Sequence, residues 1–157
     1  STWKDYNHDI ISEGGGVFDR SAKKIEISPQ MKEIFGIVKD TLTGEELIQY
    51  ILKAPAELLW SGGIGTYIKD ASETHEDVGD KANDNVRVDA QEIHARVIGE
   101  GANLGLTQKA RISLAKSGVL INTDAIDNSG GVDMSDHEVN LKILLDILLK
   151  KKVLKSR

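Results

Sequence analysis

Residues 96–103 read Arg96-Val97-Ile98-Gly99-Glu100-Gly101-Ala102-Asn103, a short apolar run that ends in glycines. Such a run is typical of a strand buried on both faces and followed by a tight turn. The pattern recurs twice: Leu58-Leu59-Trp60 leads into Ser61-Gly62-Gly63-Ile64-Gly65-Thr66, and Val119-Leu120-Ile121 leads into residues 122–131. We therefore predict three buried strands, each followed by a glycine-containing loop.

Helix signals fill the intervals between these strands. An N-cap residue precedes each of four predicted helices, and two of these residues form a capping box with a glutamate three positions later. The four N-caps are Ser28, Thr43, Thr107 and Ser135. Because helices and strands alternate, we predict an α/β fold with a parallel sheet that is flanked by helices and joined by right-handed crossovers.

Length and composition limit the class of protein. The 157 residues fit a single domain, within which the acidic residues 70–84 are expected to form a surface loop. A net charge of −5 argues against a nucleic-acid partner, and the absence of cysteine excludes disulfides and thiol catalysis. No apolar run is as long as a membrane span, so we expect a cytoplasmic protein without a membrane partner.

The glycines indicate a ligand cleft but leave an alternative open. Ligands bind beyond the carboxyl ends of parallel strands, where glycine lets the backbone approach them closely. Three glycine loops at that edge favour a nucleotide or dinucleotide cleft, although glycines also form plain strand-to-helix turns. Two nucleotide motifs do not decide the matter. The dinucleotide fingerprint that starts at Gly99 has Leu104 where glycine belongs, and residues 61–66 lack the P-loop lysine.

Two motifs carry a family resemblance. Residues 99–103 and 128–132, with Ser135 and Glu138 after them, resemble the C-terminal half of the nucleotide-binding domain of glutamate dehydrogenases. Residues 11–18, 58–67 and 78–84 resemble, more closely, the large bacterial class of NAD-specific glutamate dehydrogenase. The resemblance covers nearly the whole chain. It implies that residues 1–157 are part of a Rossmann-like NAD-binding domain of a longer enzyme.

The resemblance implies NAD-dependent oxidative deamination of L-glutamate to 2-oxoglutarate and ammonium. It assigns substrate contact to Val132 and Ser135, and cofactor contact to Ser61, Gly62, Gly63, Gly101, Ala102, Asn103, Asn128, Gly130 and Gly131. The family's catalytic lysine and aspartate cannot be assigned here, so we expect the chain to be inactive without the remaining domains of a homo-oligomeric full-length enzyme. The alternative is a non-catalytic nucleotide-binding or interaction module that reuses this half-fold.

Several candidate residues also have a plain structural interpretation. Ser135 is a helix N-cap as well as a candidate substrate ligand, and the two roles compete for one hydroxyl. Asn103 and Asn128 are residues that commonly satisfy the backbone of their own turns. Trp60 follows two leucines and is expected in the core rather than as a stacking platform.

Two remaining features are interpreted from composition. Residues 73–77 contain carboxylates and a histidine that could coordinate a hard cation, but a solvated acidic segment is favoured, and we predict no metal site. The leucine-rich helix after residue 138 has a broad apolar face. It is either part of the core or a surface that docks domains outside this chain.

Overall fold

The computed structural model describes residues 5–63, 65–102 and 104–154. In chain order the strands and α-helices are β1 (Ile25–Glu26), α1 (Pro29–Phe35), β2 (Thr41–Leu42), α2 (Gly44–Lys53), β3 (Ala56–Ser61), β4 (Ile68–Lys69), α3 (His75–Val78), β5 (Val88–Asp89), β6 (Ala95–Glu100), α4 (Gln108–Lys116), β7 (Leu120–Ile121) and α5 (Asp124–Lys150). Short 3-10 helices lie at His8–Ile10, Lys81–Asn83 and Ala90–Glu92.

A parallel sheet with the strand order β3-β6-β7 positions the glycine-containing segments. Leu58 pairs with Val97, which pairs in turn with Leu120. Because the strands run in the same direction, their carboxyl ends share one edge, and Ser61 lies opposite Glu100 there. The predicted α/β fold, a parallel and Rossmann-like sheet flanked by helices, is confirmed together with its three strands.

Two hydrophobic cores hold the chain together. The larger one joins one face of the sheet to α4 and to the parallel pair β4-β5, and consists of Ile68, Val88, Ala90, Ile93, Ala95, Ile98, Leu106, Ala110 and Leu114. The smaller one lies under the antiparallel pair β1-β2 and helices α1 and α2, and consists of Ile25, Ile27, Met31, Ile37, Leu42 and Leu47. The larger core fixes the strands whose ends carry the candidate site.

The prediction that all three strands are buried on both faces is wrong. Leu58, Trp60 and Leu120 are 55%, 56% and 68% exposed. Side chains alternate between the two faces of a strand, so these residues mark the face opposite the larger core. Trp60, on that face, shares a cavity with residues 131–141 of α5. The core prediction for Trp60 is wrong for the same reason.

Three of the four predicted N-caps are confirmed. The side chains of Ser28, Thr43 and Thr107 each accept a hydrogen bond from the backbone amide three residues later, at 3.1–3.2 Å. Glu46 returns the contact by accepting from the amide of Thr43 at 2.8 Å, which completes the predicted capping box. These local bonds satisfy amides that have no partner inside the helix.

The C-terminal region differs from the prediction. Residues 122–131 were expected to form a loop, but α5 begins at Asp124 and contains both Gly130 and Gly131. Ser135 therefore lies in the helix interior and is not an N-cap. Its hydroxyl donates to the carbonyl of Gly131 at 3.0 Å, because the amide a cap would satisfy already belongs to the helix.

The acidic segment 70–84 is not a continuous surface loop. It contains α3, for which Thr74 and Asp77 form a capping box, and the 3-10 helix at Lys81–Asn83. Most of its residues are exposed, but Asp70 and Asn83 are buried. Within the described ranges, no helix combines the length and the apolar character needed to cross a membrane.

Candidate functional site

A cavity of about 600 Å³ lies at the carboxyl edge of the sheet, between the strand ends and α5. Its lining combines glycines, polar residues of the helix and three large apolar side chains: Trp60, Gly62, Gly101, Gly131, Asp133, Met134, Ser135, His137, Glu138 and Leu141. Gly62, Gly101, Gly131 and Ser135 are all candidates from the sequence. The structure brings them together in one place.

The sheet side of this cavity is built by the ends of β3 and β6. The amide of Gly101 donates to the carbonyl of Ser61 at 3.0 Å, which continues the strand pairing beyond Glu100. The Trp60 ring covers this junction, because a Cβ at Gly99 would lie 2.9 Å from it. Gly99 is therefore required by an aromatic neighbour rather than by a turn.

The helix side meets the sheet through two glycines. A Cβ on Gly131 would lie 2.2 Å from the carbonyl oxygen of Gly101. At Gly130, by contrast, a Cβ would have no neighbour within 4 Å, and the same holds at Gly63. Gly101 and Gly131 thus allow two backbones to touch, whereas Gly63 and Gly130 face open space and Gly62 lies beside the Trp60 ring.

The polar groups of α5 that line the cavity are paired within the helix. The Nδ1 atom of His137 lies 2.8 Å from the carbonyl of Asp133 and 3.5 Å from its carboxylate. Lys142 forms an ion pair with Glu138, and its hydrogen bond and charge hold the pKa of Glu138 below the ordinary value. The Ser135 hydroxyl is exposed and can still accept a second hydrogen bond while it donates to Gly131.

A smaller cavity of about 250 Å³ lies beside the same strand end and is largely apolar. It is lined by Ile48, Ile51, Leu52, Leu59, Trp60, Ser61, Gly63, Tyr67, Ile68, Ile98, Gly105 and Leu106. Ser61 and Gly63 therefore open onto a different space from Gly62 and Gly101. The residues that the sequence assigns to one cofactor surface thus line two separate cavities in this chain.

The other sequence candidates fall outside these linings. Ala102 is buried, with 6% of its surface exposed. Asn128, Gly130 and Val132 lie on α5, and Val132 is 46% exposed. Asn103 lies outside the described residues. No group of three or more potential metal ligands is found in the part of the chain that the structure describes.

A set of residues not predicted from the sequence, which we call the Arg87 cluster, consists of Thr66, Asp80, Asn83, Asp84 and Arg87. The buried Arg87 guanidinium donates to the carbonyls of Thr66 and Asp80, at 2.9 and 2.6 Å, and to the carboxylate of Asp84 at 2.6 Å. Asp80 accepts from the Thr66 amide and from Asn83, and these bonds, that from Asn83 first, lower its pKa. The cluster fixes the segment that follows Gly65.

A second such set, the Arg111 cluster, consists of Glu100, Arg111 and Asp124. Glu100 is completely buried and forms an ion pair with Arg111, which lies 3.5 Å from Asp124. Each cluster lies against a glycine: a Cβ on Gly65 would lie 2.2 Å from Asn83, and a Cβ on Gly105 would lie 2.2 Å from Glu100. Residues 78–84 carry only the family resemblance, and Glu100 stands between two glycines, so neither pattern indicates burial.

Comparison with known proteins identifies the family. Residues 1–157 match the model described as the catalytic domain of bacterial NAD-glutamate dehydrogenase. The chain belongs to this family. The resemblance read from the sequence motifs is thereby confirmed, and the Rossmann-like sheet agrees with it.

Several relatives place this family member more closely. Proteins named NAD-specific glutamate dehydrogenase are 60% identical in Pseudomonas aeruginosa, over 93% of the chain, and 57% identical in Halomonas elongata, over 96% of it. The corresponding protein of Mycobacterium tuberculosis is 52% identical over 99% of the chain. The chain spans only 9–10% of the length of these relatives.

Proposed function

We propose that the full-length protein containing this chain catalyses the NAD-dependent oxidative deamination of L-glutamate to 2-oxoglutarate and ammonium. The observation that carries the proposal is the cavity that gathers Gly62, Gly101, Gly131 and Ser135 at the carboxyl edge of the sheet. The names of the relatives support the same reaction.

The open glycine surfaces fit a bound dinucleotide. Gly62 and Gly63 are exposed, and the nearest atoms to a Cβ at Gly62 are those of Trp60, 3.6 Å away. Backbone free of side chains at a strand end allows a ligand to approach closely. We assign the nicotinamide side of NAD to this surface and to the adjoining face of α5 at Asn128 and Gly130. When bound there, NAD accepts a hydride from the substrate.

The substrate role falls to α5. Ser135 lines the cavity, and its hydroxyl proton can rotate from the Gly131 carbonyl to a carboxylate of glutamate. Val132 lies nearly one turn earlier and is half-exposed, so it offers an apolar contact for the methylene groups of the substrate.

The catalytic acid–base pair is assigned to another part of the full-length protein. Oxidative deamination needs an amine and a carboxylate that exchange protons at the reacting carbon. None of the described residues that line the cavity is a lysine. We therefore expect the 157-residue chain alone to be inactive, and the remaining domains of a homo-oligomer to complete the site.

The experiment measures NAD reduction by the full-length protein with glutamate as substrate. Ser135→Ala is expected to raise the KM for glutamate about tenfold, the cost of one hydrogen bond to a charged group, with a smaller effect on the KM for NAD. Ser129→Ala is the matched control, because Ser129 also bonds back to its own helix, to the Ile126 carbonyl at 2.6 Å, but does not line the cavity.

Three outcomes would contradict parts of the proposal. Wild-type protein that does not reduce NAD with glutamate refutes the reaction. Equal effects of Ser135→Ala and Ser129→Ala on the KM for glutamate refute the substrate role of Ser135. Tight NADH binding by the 157-residue chain alone favours the alternative, an independent nucleotide-binding module.

A further inference from the structure

Glu100 occupies an unusual position for a charged residue. It is the last residue of β6, none of its surface is exposed, and its Oε1 atom contacts the Arg111 guanidinium of α4. Its Oε2 atom has no hydrogen-bond partner among the described residues. A buried polar atom without a hydrogen-bond partner lowers the stability of the fold, so its presence calls for a functional explanation.

Arg111 connects Glu100 to the beginning of α5. Its guanidinium donates to the carbonyl of Asn122 at 3.0 Å and lies 3.5 Å from the carboxylate of Asp124. That carboxylate in turn accepts from the amide of Leu104 at 3.3 Å. The Arg111 cluster therefore joins three segments: the end of β6, the loop that follows it, and the junction of β7 with α5.

The loop after β6 and helix α5 also form walls of the cavity. The loop after β6 begins with Gly101, and α5 carries Gly131 and Ser135. A second bond, from the Glu100 amide to the Asp127 carboxylate at 3.3 Å, also joins β6 to the first turns of α5. These contacts link Glu100 and Arg111 to the start of the helix that forms one wall of the cavity.

We propose that Glu100 is a positioning residue: its buried ion pair with Arg111 fixes the start of α5 relative to the loop after β6, and so sets the width of the candidate NAD cavity. The inference rests on the proposed function, because it treats that cavity as the cofactor site. Glu100 itself does not line the cavity, so it acts through Arg111 and α5 rather than through contact with a ligand.

The state of this pair depends on pH. The charged groups that face Glu100 within the described ranges are Arg111 from α4, and Asp124 and Asp127 from α5. Burial raises the pKa of Glu100 to about 7, and Asp124 adds to the rise while Arg111 opposes it. Below about pH 7 the carboxyl group is neutral and holds Arg111 less strongly, so cofactor affinity should fall.

The test measures the dissociation constant of NADH for the full-length protein between about pH 6 and about pH 8. Wild-type protein is expected to bind NADH about tenfold more weakly at the lower pH. A change of this magnitude is typical of a residue that affects a binding site without contacting the ligand. Glu100→Gln keeps the shape but never carries the charge, so it should bind weakly at both pH values. Asp124→Asn removes a carboxylate that raises the pKa, so its transition should move to lower pH.

Glu57→Gln serves as the control. Glu57 pairs with Arg96 across β3 and β6, but both side chains are exposed, and loss of this pair should leave the NADH affinity and its pH dependence unchanged. Circular dichroism checks that each variant is folded. If Glu100→Gln does not fold, the transition in wild type and its shift in Asp124→Asn decide the question.

The possible failures are distinguishable. Wild-type protein that does not bind NADH at any pH refutes the proposed function. Wild-type protein that binds NADH with no transition near pH 7, or an Asp124→Asn variant with an unshifted transition, overturns the positioning role while the proposed function stands.

Discussion

The Arg87 cluster and the Arg111 cluster each place a buried arginine behind a segment of the candidate site, yet they differ in how completely their polar atoms are paired. Arg87 donates to two backbone carbonyls and one carboxylate, and also contacts the Nδ1 atom of His75 at 2.8 Å. In the Arg111 cluster, the Oε2 atom of Glu100 has no such partner within the described residues.

The difference in pairing has opposite consequences for protonation. Hydrogen bonds from Asn83 and from the Thr66 amide lower the pKa of Asp80, so this carboxylate stays ionised throughout the neutral range. Burial raises the pKa of Glu100 to about 7, so the Arg111 cluster changes charge near neutrality. The contacts of Arg87 with Asp80 are therefore expected to stay the same across neutral pH. The contact of Arg111 with Glu100 is expected to change with pH.

The largest expected effect on the local free energy of unfolding comes from removing the Arg87 guanidinium. Arg87→Met leaves Asp80 and Asp84 without their cation, and should lower the local free energy of unfolding by about 3–5 kcal/mol. Hydrogen-exchange mass spectrometry of the full-length protein, on peptides covering residues 65–84, measures this loss. Arg96→Met removes an exposed arginine and should leave exchange in β6 unchanged. Equal hydrogen exchange in Arg87→Met and wild type would show that Arg87 does not stabilise this segment.

A smaller loss of local stability is expected in the Arg111 cluster, because Glu100 can take up a proton when the Arg111 guanidinium is removed. Arg111→Met should lower the local free energy of unfolding by about 2–4 kcal/mol at pH 8 and by less at pH 6. Exchange of peptides covering residues 96–102 reports the change. The double variant Glu100→Met with Arg111→Met should recover part of the loss, since both buried charges are gone. A pH-independent loss would show that the two clusters do not differ.

The smallest effect is the pH dependence of stability in the unmodified protein. Glu100 has a pKa raised from 4.5 to about 7, so the folded state binds a proton that the unfolded state releases. Its contribution to stability is fully present below about pH 4.5 and declines as the pH rises to about 7, by roughly 1–3 kcal/mol in all. Hydrogen exchange of the 96–102 peptides, corrected for the intrinsic pH dependence of amide exchange, should follow this decline. Glu100→Gln should abolish it. An unchanged slope in that variant would assign the decline to another group.

Local signals in the sequence were sufficient to predict the starts of α2 and α4. Thr43 and Thr107 cap their helices through atoms only three residues away, so the pattern and the contact coincide. Ser135 and Glu138 present the same local pattern, but helix α5 has already begun at Asp124. Acidic residues in the first turn stabilise that earlier start, and no free amide remains at residue 138 for Ser135 to cap.

Contacts between distant residues could not be predicted from the sequence. Glycines at 101 and 131 signal only that side chains are absent, and the sequence does not distinguish room for a ligand from room for another backbone. Here the two glycines make room for each other. Glu100 and Arg111 are ordinary charged residues in the sequence, and only the packing of α4 on the sheet buries them.

The contact of Gly131 with Gly101 also makes α5 a lever. The helix has 27 residues, and at a rise of about 1.5 Å per residue it is roughly 40 Å long. The contact divides it into a short arm of about 10 Å and a long arm of about 28 Å. A tilt about the contact of Gly131 with Gly101 moves the Lys150 end of α5 nearly three times as far as the Asp124 end. A probe attached close to Lys150 would therefore report sub-ångström adjustments at the cavity as displacements large enough to measure.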